Sequence, residues 1–315
     1  FHVQLHLTDK CNLKCRHCYE GERKTVTEWE YRELLAVIDE LDKTFKKWNV
    51  DGEISLVGGE PVMYPYLSDL LYYIRKKRFI TRIAILTNGT FISDELKQAI
   101  LDTKVAVQIS IDGATKEKHD FIRGEGNYEK AINSIKWLVS NQIEVFVHYV
   151  ISKYTVPISK EFITFMNDLG VRQLTFMGAS DKRIMLNKDE LKEVYSKLNE
   201  YANALPENEI RINTTRPLWT LFGKTGRCPV GIQTITILQD GTVLPCRRLP
   251  IPVGNIKKES LFSIWYNSDV LWNLRQRNNF QKCGKCEHLD DCGGNRCIAY
   301  AVTGDYMGGD PQCWI

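Results

Sequence analysis

Ten cysteines fall into two groups separated by more than two hundred cysteine-free residues. Cys11, Cys15 and Cys18 stand near the start. Cys228, Cys246, Cys283, Cys286, Cys292, Cys297 and Cys313 stand near the end. Clustering of this kind points to metal or cluster ligation rather than to thiols that merely fill a core. The first group is spaced C-x3-C-x2-C and directly follows a short apolar run at 3–7 that predicts a strand. A loop this tight aims three thiolates at one small volume and supplies no fourth. Cubane iron–sulfur clusters take four cysteines, one per iron. Three ligands therefore leave one iron open, much as catalytic zinc sites keep a coordination position open. The plainer alternatives are a zinc knuckle or scattered core cysteines.

The elements that must position this loop follow from periodicity. Short, mostly apolar runs at 3–7, 53–57, 82–86, 105–111, 144–151 and 173–177 read as buried parallel strands. Helical patterns lie between them. Thr27-Glu28-Trp29-Glu30 predicts a capping box for a helix running toward Trp48. Further helices are expected over 67–77, from Ser93, from a cap at Asn127 to about 140, from Pro157 to Gly170, and from Asn187 to about 204. Six alternating strand–helix units predict an α/β fold, an open partial (β/α)6 TIM-like barrel. In such barrels chemistry gathers at the C-terminal strand ends. Strand one ends in the cysteine loop and strand two in Gly58-Gly59-Glu60-Pro61. Strand three ends in Thr87-Asn88-Gly89, and strand four in Ser110-Ile111-Asp112-Gly113.

Each stretch has a bland reading as well: Gly and Pro are turn residues, and Thr87 and Asn88 are turn formers. Glycines also let backbone approach a ligand ammonium closely, and Glu60 would add negative charge there. Ser110 and Asp112 are short polar partners suited to ribose hydroxyls. Arg123 is suited to a carboxylate, or to a surface ion pair. Taken in order along the chain, C-x3-C-x2-C, Gly58-Gly59-Glu60-Pro61 and the Ser110–Asp112 stretch resemble the radical S-adenosylmethionine (SAM) superfamily. The resemblance implies that the open iron is chelated by SAM, which one electron cleaves to a hydrogen-abstracting radical. It implies SAM contacts at Gly58, Gly59, Glu60, Thr87, Asn88, Ser110, Asp112 and Arg123. His17 stands where the family usually carries an aromatic residue near the adenine. His6 and His148 read as core or cavity histidines, and Tyr149 as part of its strand.

After about residue 215 the pattern changes to short strands, glycines and cysteines, so the expected division is 1–215 and 216–315. Gln239-Asp240-Gly241 between two β-rich runs predicts a hairpin, which explains Asp240 by its turn and brings Cys228 and Cys246 to neighbouring strand ends. One amphipathic helix is expected over 261–275. Then come Cys283-x2-Cys286-x5-Cys292-x4-Cys297 and Cys313. The whole pattern resembles the SPASM domain, with one residue more than usual before Cys297. That resemblance implies an outer auxiliary cluster on Cys283, Cys286, Cys292 and Cys313, and an inner one on Cys228, Cys246 and Cys297. Some relatives carry a further cysteine just upstream, where this chain has Lys224, Thr225, Gly226 and Arg227. The inner cluster is then expected to have an open iron or a non-cysteine ligand. The alternative for the outer set is structural zinc.

Net charge is +3, from 42 basic and 39 acidic residues, too even to argue for nucleic acid. No run reaches the roughly 18–20 apolar residues of a membrane span, and no signal peptide is evident. A cytoplasmic protein is the expectation, in which ten thiols are not disulfides. The chain starts at Phe1 inside a strand, with no leader-binding domain ahead of the barrel. Such a domain is expected to lie upstream, to be a separate protein, or to be unnecessary. The expected function is radical modification of a ribosomally made peptide, with a thioether crosslink as the leading product. SAM and three [4Fe–4S] clusters are the expected cofactors, and flavodoxin or ferredoxin the expected electron donor. Carbon–carbon crosslinking, oxidation of a sulfatase residue, maturation of a peptide-derived or small-molecule cofactor, and a non-catalytic metal-binding scaffold are the alternatives. No catalytic base is identified.

Overall fold

The computed structural model describes residues 1–18, 21, 26–206, 209–215, 217–224 and 226–315. Tyr19 and Glu20 at the end of the first cysteine stretch, Arg216 at the expected boundary and Thr225 upstream of Cys228 lie outside the described residues. The chain runs β1 (His2–His6), α1 (Tyr31–Trp48), β2 (Gly52–Val57), α2 (Leu67–Arg75), β3 (Ile80–Thr87), α3 (Asp94–Thr103) and β4 (Ala106–Ser110). It continues with α4 (Lys116–Arg123), α5 (Asn127–Ser140), β5 (Val145–Ile151), α6 (Lys160–Asp168), β6 (Gln173–Gly178), α7 (Lys188–Ala204) and β7 (Arg211–Thr214). These strands pair in chain order and all in parallel. The result is the expected open α/β sheet, extended by one strand, β7.

Register explains why the two faces of the sheet differ. Leu5, Leu56, Ile85, Val107 and Val145 stand side by side across five strands, all buried. On this side α1 lays down Leu34, Ile38, Leu41 and Phe45, the 3.6-period stripe. Each fully buried aliphatic side chain contributes roughly 1.5–3 kcal/mol. In β5 the alternate positions Phe146, His148 and Val150 are only half-buried. Ser110 pairs with His148, and His148 with Thr175, so the opposite face carries the polar residues.

Several predicted boundaries shift. The helix expected from Thr27 starts at Tyr31, with Glu30 as its cap. Residues 27–29 instead extend along the cysteine loop, through Asp9 N–H to Thr27 O (2.8 Å) and Trp29 N–H to Leu7 O (3.2 Å). There Glu28 accepts from Thr8 Oγ1 and Lys10 Nζ, and Glu30, expected to close the capping box, is the cap itself and accepts from Arg32 N–H. The fifth expected helix starts at Lys160, capped by Ser159, and Pro157 lies outside it. Gly126, not Asn127, is the cap of α5. Asn187 forms the full capping box with Glu190.

The C-terminal part adds β8 (Thr234–Ile237), β9 (Thr242–Leu244), β10 (Gly254–Asn255), α8 (Leu261–Asn267), α9 (Asp269–Arg275), α10 (Gln281–Gly284) and α11 (Arg296–Thr303). The hairpin forms where expected, with Gly241 at φ +87° and Asp240 Oδ1 accepting from Thr242 N–H (2.9 Å). β8 also pairs in parallel with β1, so the sheet is continuous in the order β10-β9-β8-β1-β2-β3-β4-β5-β6-β7. The single helix expected over 261–275 is broken at Ser268, which ends α8 and caps α9 through Leu271 N–H. Among the described residues no helix is long and apolar enough to cross a membrane.

Candidate functional site

The three-cysteine loop leaves β1 and is strapped down from two sides. From β2, Gly59 N–H donates to Thr8 O and Glu60 N–H to Lys10 O, both at 2.8 Å. A Cβ at Gly58 would stand 2.6 Å from Thr8 O, and one at Gly59 2.4 Å from Lys10 O. The glycines are therefore required by the loop's own backbone. From α4, Ile122 O accepts from Arg16 N–H (2.9 Å), Phe121 O accepts from Arg16 Nε (2.7 Å), and the guanidinium lies 4.2 Å from the Phe121 ring centre. Cys11 and Cys18 are exposed and Cys15 is half-buried. Burial pushes the Cys15 thiol up to about 11 against the pull of Arg123, and Cys11 and Cys18 push it further. To ionise, Cys11 and Cys15 have to overcome burial and the charge of the neighbouring thiols, so a cation or cluster among the three would favour the thiolates.

Glu60 is fully buried, and its carboxylate accepts from Thr87 Oγ1 (2.6 Å), Asn88 N–H (2.7 Å) and Val62 N–H (3.3 Å). Burial nevertheless carries it from 4.5 to about 7, with those three donors and Arg123 opposing. The Asn88 side chain donates to Asn12 Oδ1 (2.8 Å), and Asn12 in turn to Thr90 Oγ1 (2.9 Å), so the end of β3 grips the loop between two cysteines. Asn12 and Thr90 were not among the expected site residues; an amide wedged beside Cys11 was the available signal. The folded Glu60 holds its proton more tightly than the unfolded chain does. The resulting stability is full below the unfolded value and is lost as pH rises through about 7. We expect the thermal midpoint of the unreconstituted chain to fall across this window, by the equivalent of about 3 kcal/mol in all, and Glu60→Gln to flatten the profile. Melting curves of both proteins between about pH 5 and 8 check it.

Asp112, at the end of β4, joins three elements. Its Oδ2 lies 2.6 Å from His17 Nε2 in the cysteine loop and 2.5 Å from Arg123 Nε on α4, and its Oδ1 accepts from Val150 N–H of β5 (2.7 Å). Burial pushes this carboxyl up, but Arg123 and His17 outweigh it and hold it well below the usual carboxylate range. Arg123 Nη1 in turn reaches Cys15 Sγ at 3.9 Å. His119 Nδ1 accepts from Asp112 N–H (3.3 Å), and burial lowers this imidazole to about 4. Ser110 sits half-buried beside His148, which burial also lowers to about 4 and so keeps neutral. Tyr149 donates to Thr155 O (2.6 Å) among Phe162 and Phe176, a core role.

The seven later cysteines stand in two different surroundings. Cys246 is pushed down to about 6, first by the hydrogen bond from Cys297, against burial, with Arg248 adding its own pull; Cys297 is correspondingly raised. Cys228 feels Cys246, and its charge in turn raises Cys297. Arg248 also lowers His148, which brings this group's surroundings within electrostatic reach of the barrel interior. Cys283, Cys286, Cys292 and Cys313 line one small pocket with His288 and Asp310. Among the described residues no three His, Cys, Asp or Glu side chains close around a point as a single metal ion would require.

The Radical SAM superfamily profile matches residues 5–169, more than half of the chain and the whole of the strapped loop and its supports. The chain belongs to the radical SAM superfamily. A second profile, that of the SPASM iron–sulfur cluster-binding domain, matches 228–292. The AdoMet-dependent heme synthase of Methanosarcina barkeri (strain Fusaro / DSM 804) is 27% identical, over 98% of this chain and 94% of that protein. The mycofactocin maturase MftC of Mycobacterium tuberculosis (strain CDC 1551 / Oshkosh) is 28% identical, over 98% of this chain and 81% of that protein. The crystal structure of Streptococcus suis SuiB bound to S-adenosylmethionine superposes with a TM-score of 0.80 at 16% identity, over 100% of this chain and 77% of that one. This radical SAM enzyme thus has SAM and a [4Fe–4S] cluster as family cofactors, and an auxiliary-cluster domain. The residues present fit such groups: one short strapped loop carries three thiols, and Arg296, 2% exposed beside Cys283, has no carboxylate within ion-pair distance among the described residues.

Proposed function

We propose that this radical SAM enzyme takes a hydrogen atom from a ribosomally made peptide and installs a crosslink, with a thioether as the leading product. The observation that carries the radical chemistry is the loop of three thiols braced by Glu60, Thr87, Asn88 and Asp112 at the ends of β2–β4 and by Arg123 at the end of α4. The relation to a named maturase supports the peptide. Cys11, Cys15 and Cys18 hold the cluster whose remaining iron takes SAM. Together, cluster and SAM supply a one-electron cleavage that yields a hydrogen-abstracting radical. Gly58 and Gly59 bring backbone to the ligand, and Glu60, about half ionised near pH 7, adds negative charge there. Arg123 takes the carboxylate, Ser110 and Asp112 the ribose, and His17 lies toward the adenine.

In the unit 216–315, Cys228, Cys246 and Cys297 hold the inner auxiliary [4Fe–4S] cluster, and Cys283, Cys286, Cys292 and Cys313 the outer one. The unit 1–215 holds the SAM cluster. A flavodoxin or ferredoxin supplies the electron, and the peptide is presented by a leader-binding domain upstream or on a separate protein, or needs none. A second reading, maturation of a small-molecule or peptide-derived cofactor, is favoured by the heme synthase relationship.

The test is anaerobic incubation of reconstituted enzyme with SAM, dithionite and a panel of cysteine-bearing peptides. We expect 5′-deoxyadenosine together with a peptide two hydrogens lighter that no longer reacts with iodoacetamide. A lighter peptide with its thiol intact would replace the thioether by a carbon–carbon bond. Turnover with a tetrapyrrole precursor but no peptide would favour the second reading. No 5′-deoxyadenosine from fully loaded enzyme would end the radical assignment.

A further inference from the structure

Arg296 is 2% exposed, and its surroundings do not pair it with an acid. It opens α11, capped by Asn295. Its Nη1 donates to Tyr306 O (3.1 Å) and Gly308 O (2.7 Å), its Nη2 lies 3.3 Å from Cys283 Sγ, and the guanidinium sits 4.4 Å from the Phe280 ring centre. Among the described residues no carboxylate lies within ion-pair distance of it. Asp310, which lines the same pocket, gives its oxygens to the backbone N–H groups of Asn295 (2.9 Å) and Gln312 (3.0 Å). The backbone N–H of Arg296 donates to Cys228 Sγ, a member of the other sulfur group. Arg296 therefore touches both groups, the outer through its side chain and the inner through its main chain.

The chain makes room for this contact. Gly294 has φ +66°, and a Cβ there would fall 2.3 Å from Arg296 Nη2 and 2.7 Å from Cys283 Sγ. Arg123, beside Cys15, is by contrast already balanced by Asp112. A buried guanidinium with no counter-charge costs several kcal/mol, so one is expected to belong with an anion that the site acquires. Cysteine-ligated iron–sulfur clusters are anionic and become more so on reduction. A fixed cation beside such a cluster favours the reduced form and raises its potential.

We propose that Arg296 is the counter-cation of the outer auxiliary sulfur group and a positioning residue that holds the outer cluster at a raised reduction potential. This rests on the reading of both groups as cluster ligands. The experiment therefore starts with iron, sulfide and zinc counts on the reconstituted full chain, where three cubanes give about twelve irons. About four irons with bound zinc would overturn that reading, and this inference with it. With full loading, EPR-monitored potentiometry is run on wild type, Arg296→Gln and Arg296→Lys.

We expect Arg296→Gln to shift the outer cluster to a more negative potential, Arg296→Lys to recover part of the shift, and the SAM-site cluster to stay where it is. Loss of about four irons in Arg296→Gln but not in Arg296→Lys would equally support a counter-cation, since charge alone then rescues. Unchanged auxiliary potentials at full iron would overturn the inference while leaving the cluster reading intact. Loss of the outer cluster in both variants would overturn it in favour of a role in shape alone.

Discussion

Asp112→Asn is expected to lower stability by about 3–5 kcal/mol, because it removes the only charge that compensates a buried guanidinium in the described triad of His17, Asp112 and Arg123. The loss has a distinct signature. Asp112 is held well below the usual carboxylate range when folded, so the stability it contributes is fully present above the unfolded carboxyl value and disappears only as pH falls through the folded one. Between about pH 6 and 8 the deficit of the variant is therefore expected to be constant, whereas the contribution of Glu60 changes across the same interval. Urea unfolding at several pH values measures both.

A double variant, Asp112→Asn with Arg123→Met, is expected to recover part of the loss, since it removes the stranded cation as well as its partner. Activity behaves differently. Arg123 is released from Asp112 in the single variant and no longer stands at 3.9 Å from Cys15 Sγ. Formation of 5′-deoxyadenosine is then expected to fall by about 100-fold, the scale of a misplacement near 1 Å. A variant with normal 5′-deoxyadenosine yield would mean that the triad serves stability alone.

Which parts were legible beforehand follows from what kind of contact makes them. The strands at the heart of the sheet were readable because one face is fully buried, so Val and Ile at alternate positions mark them without help from partners; β5 lies at Val145–Ile151 against an expected 144–151, with Val145, Val147, Tyr149 and Ile151 buried. The cysteine groups were readable because ligand spacing is a local property. Helix α4 was missed because it buries only His119, Ile122 and Arg123 and carries no apolar stripe. The break at Ser268 was missed because the apolar period runs through it, while a serine that ends one helix and caps the next leaves no gap in that period.

Long-range contacts were out of reach for a different reason. Nothing in Thr234–Ile237 says that this strand pairs with the free edge of β1, although that pairing joins the two cysteine regions into one sheet. The polar supports behave likewise. Asp112 was expected to contact a ribose; its oxygens also meet His17, Arg123 and Val150, partners from three separate segments that no local pattern announces. Arg296 precedes Cys297 in the sequence, and only its burial shows what surrounds it.

Gly58-Gly59-Glu60-Pro61 gives the second large effect. The motif was expected to serve a ligand directly, and its most demanding contact is with the protein itself. A methyl group at Gly59 would meet three backbone atoms, Lys10 O at 2.4 Å, Asp9 O at 2.5 Å and Lys10 C at 2.8 Å. Backbone cannot swing aside as a flexible side chain can, so the β2 strap or the cysteine loop has to move. Overpacking of this kind costs about 1–3 kcal/mol. The loop is the softer partner, because Cys11 and Cys18 are exposed whereas the strap is fixed by Glu60 through Thr87 and Asn88. Gly59→Ala is therefore expected to displace Cys11 relative to Cys15 more than it destabilises the fold. The measurable outcome is a protein that melts within a few degrees of wild type, keeps its auxiliary irons, loses most of the SAM-site cluster's EPR signal and forms 5′-deoxyadenosine about 100-fold more slowly. Loss of auxiliary and SAM-site iron together would instead show that the strap stabilises the whole sheet through β1, the strand on which β2 and β8 both pair.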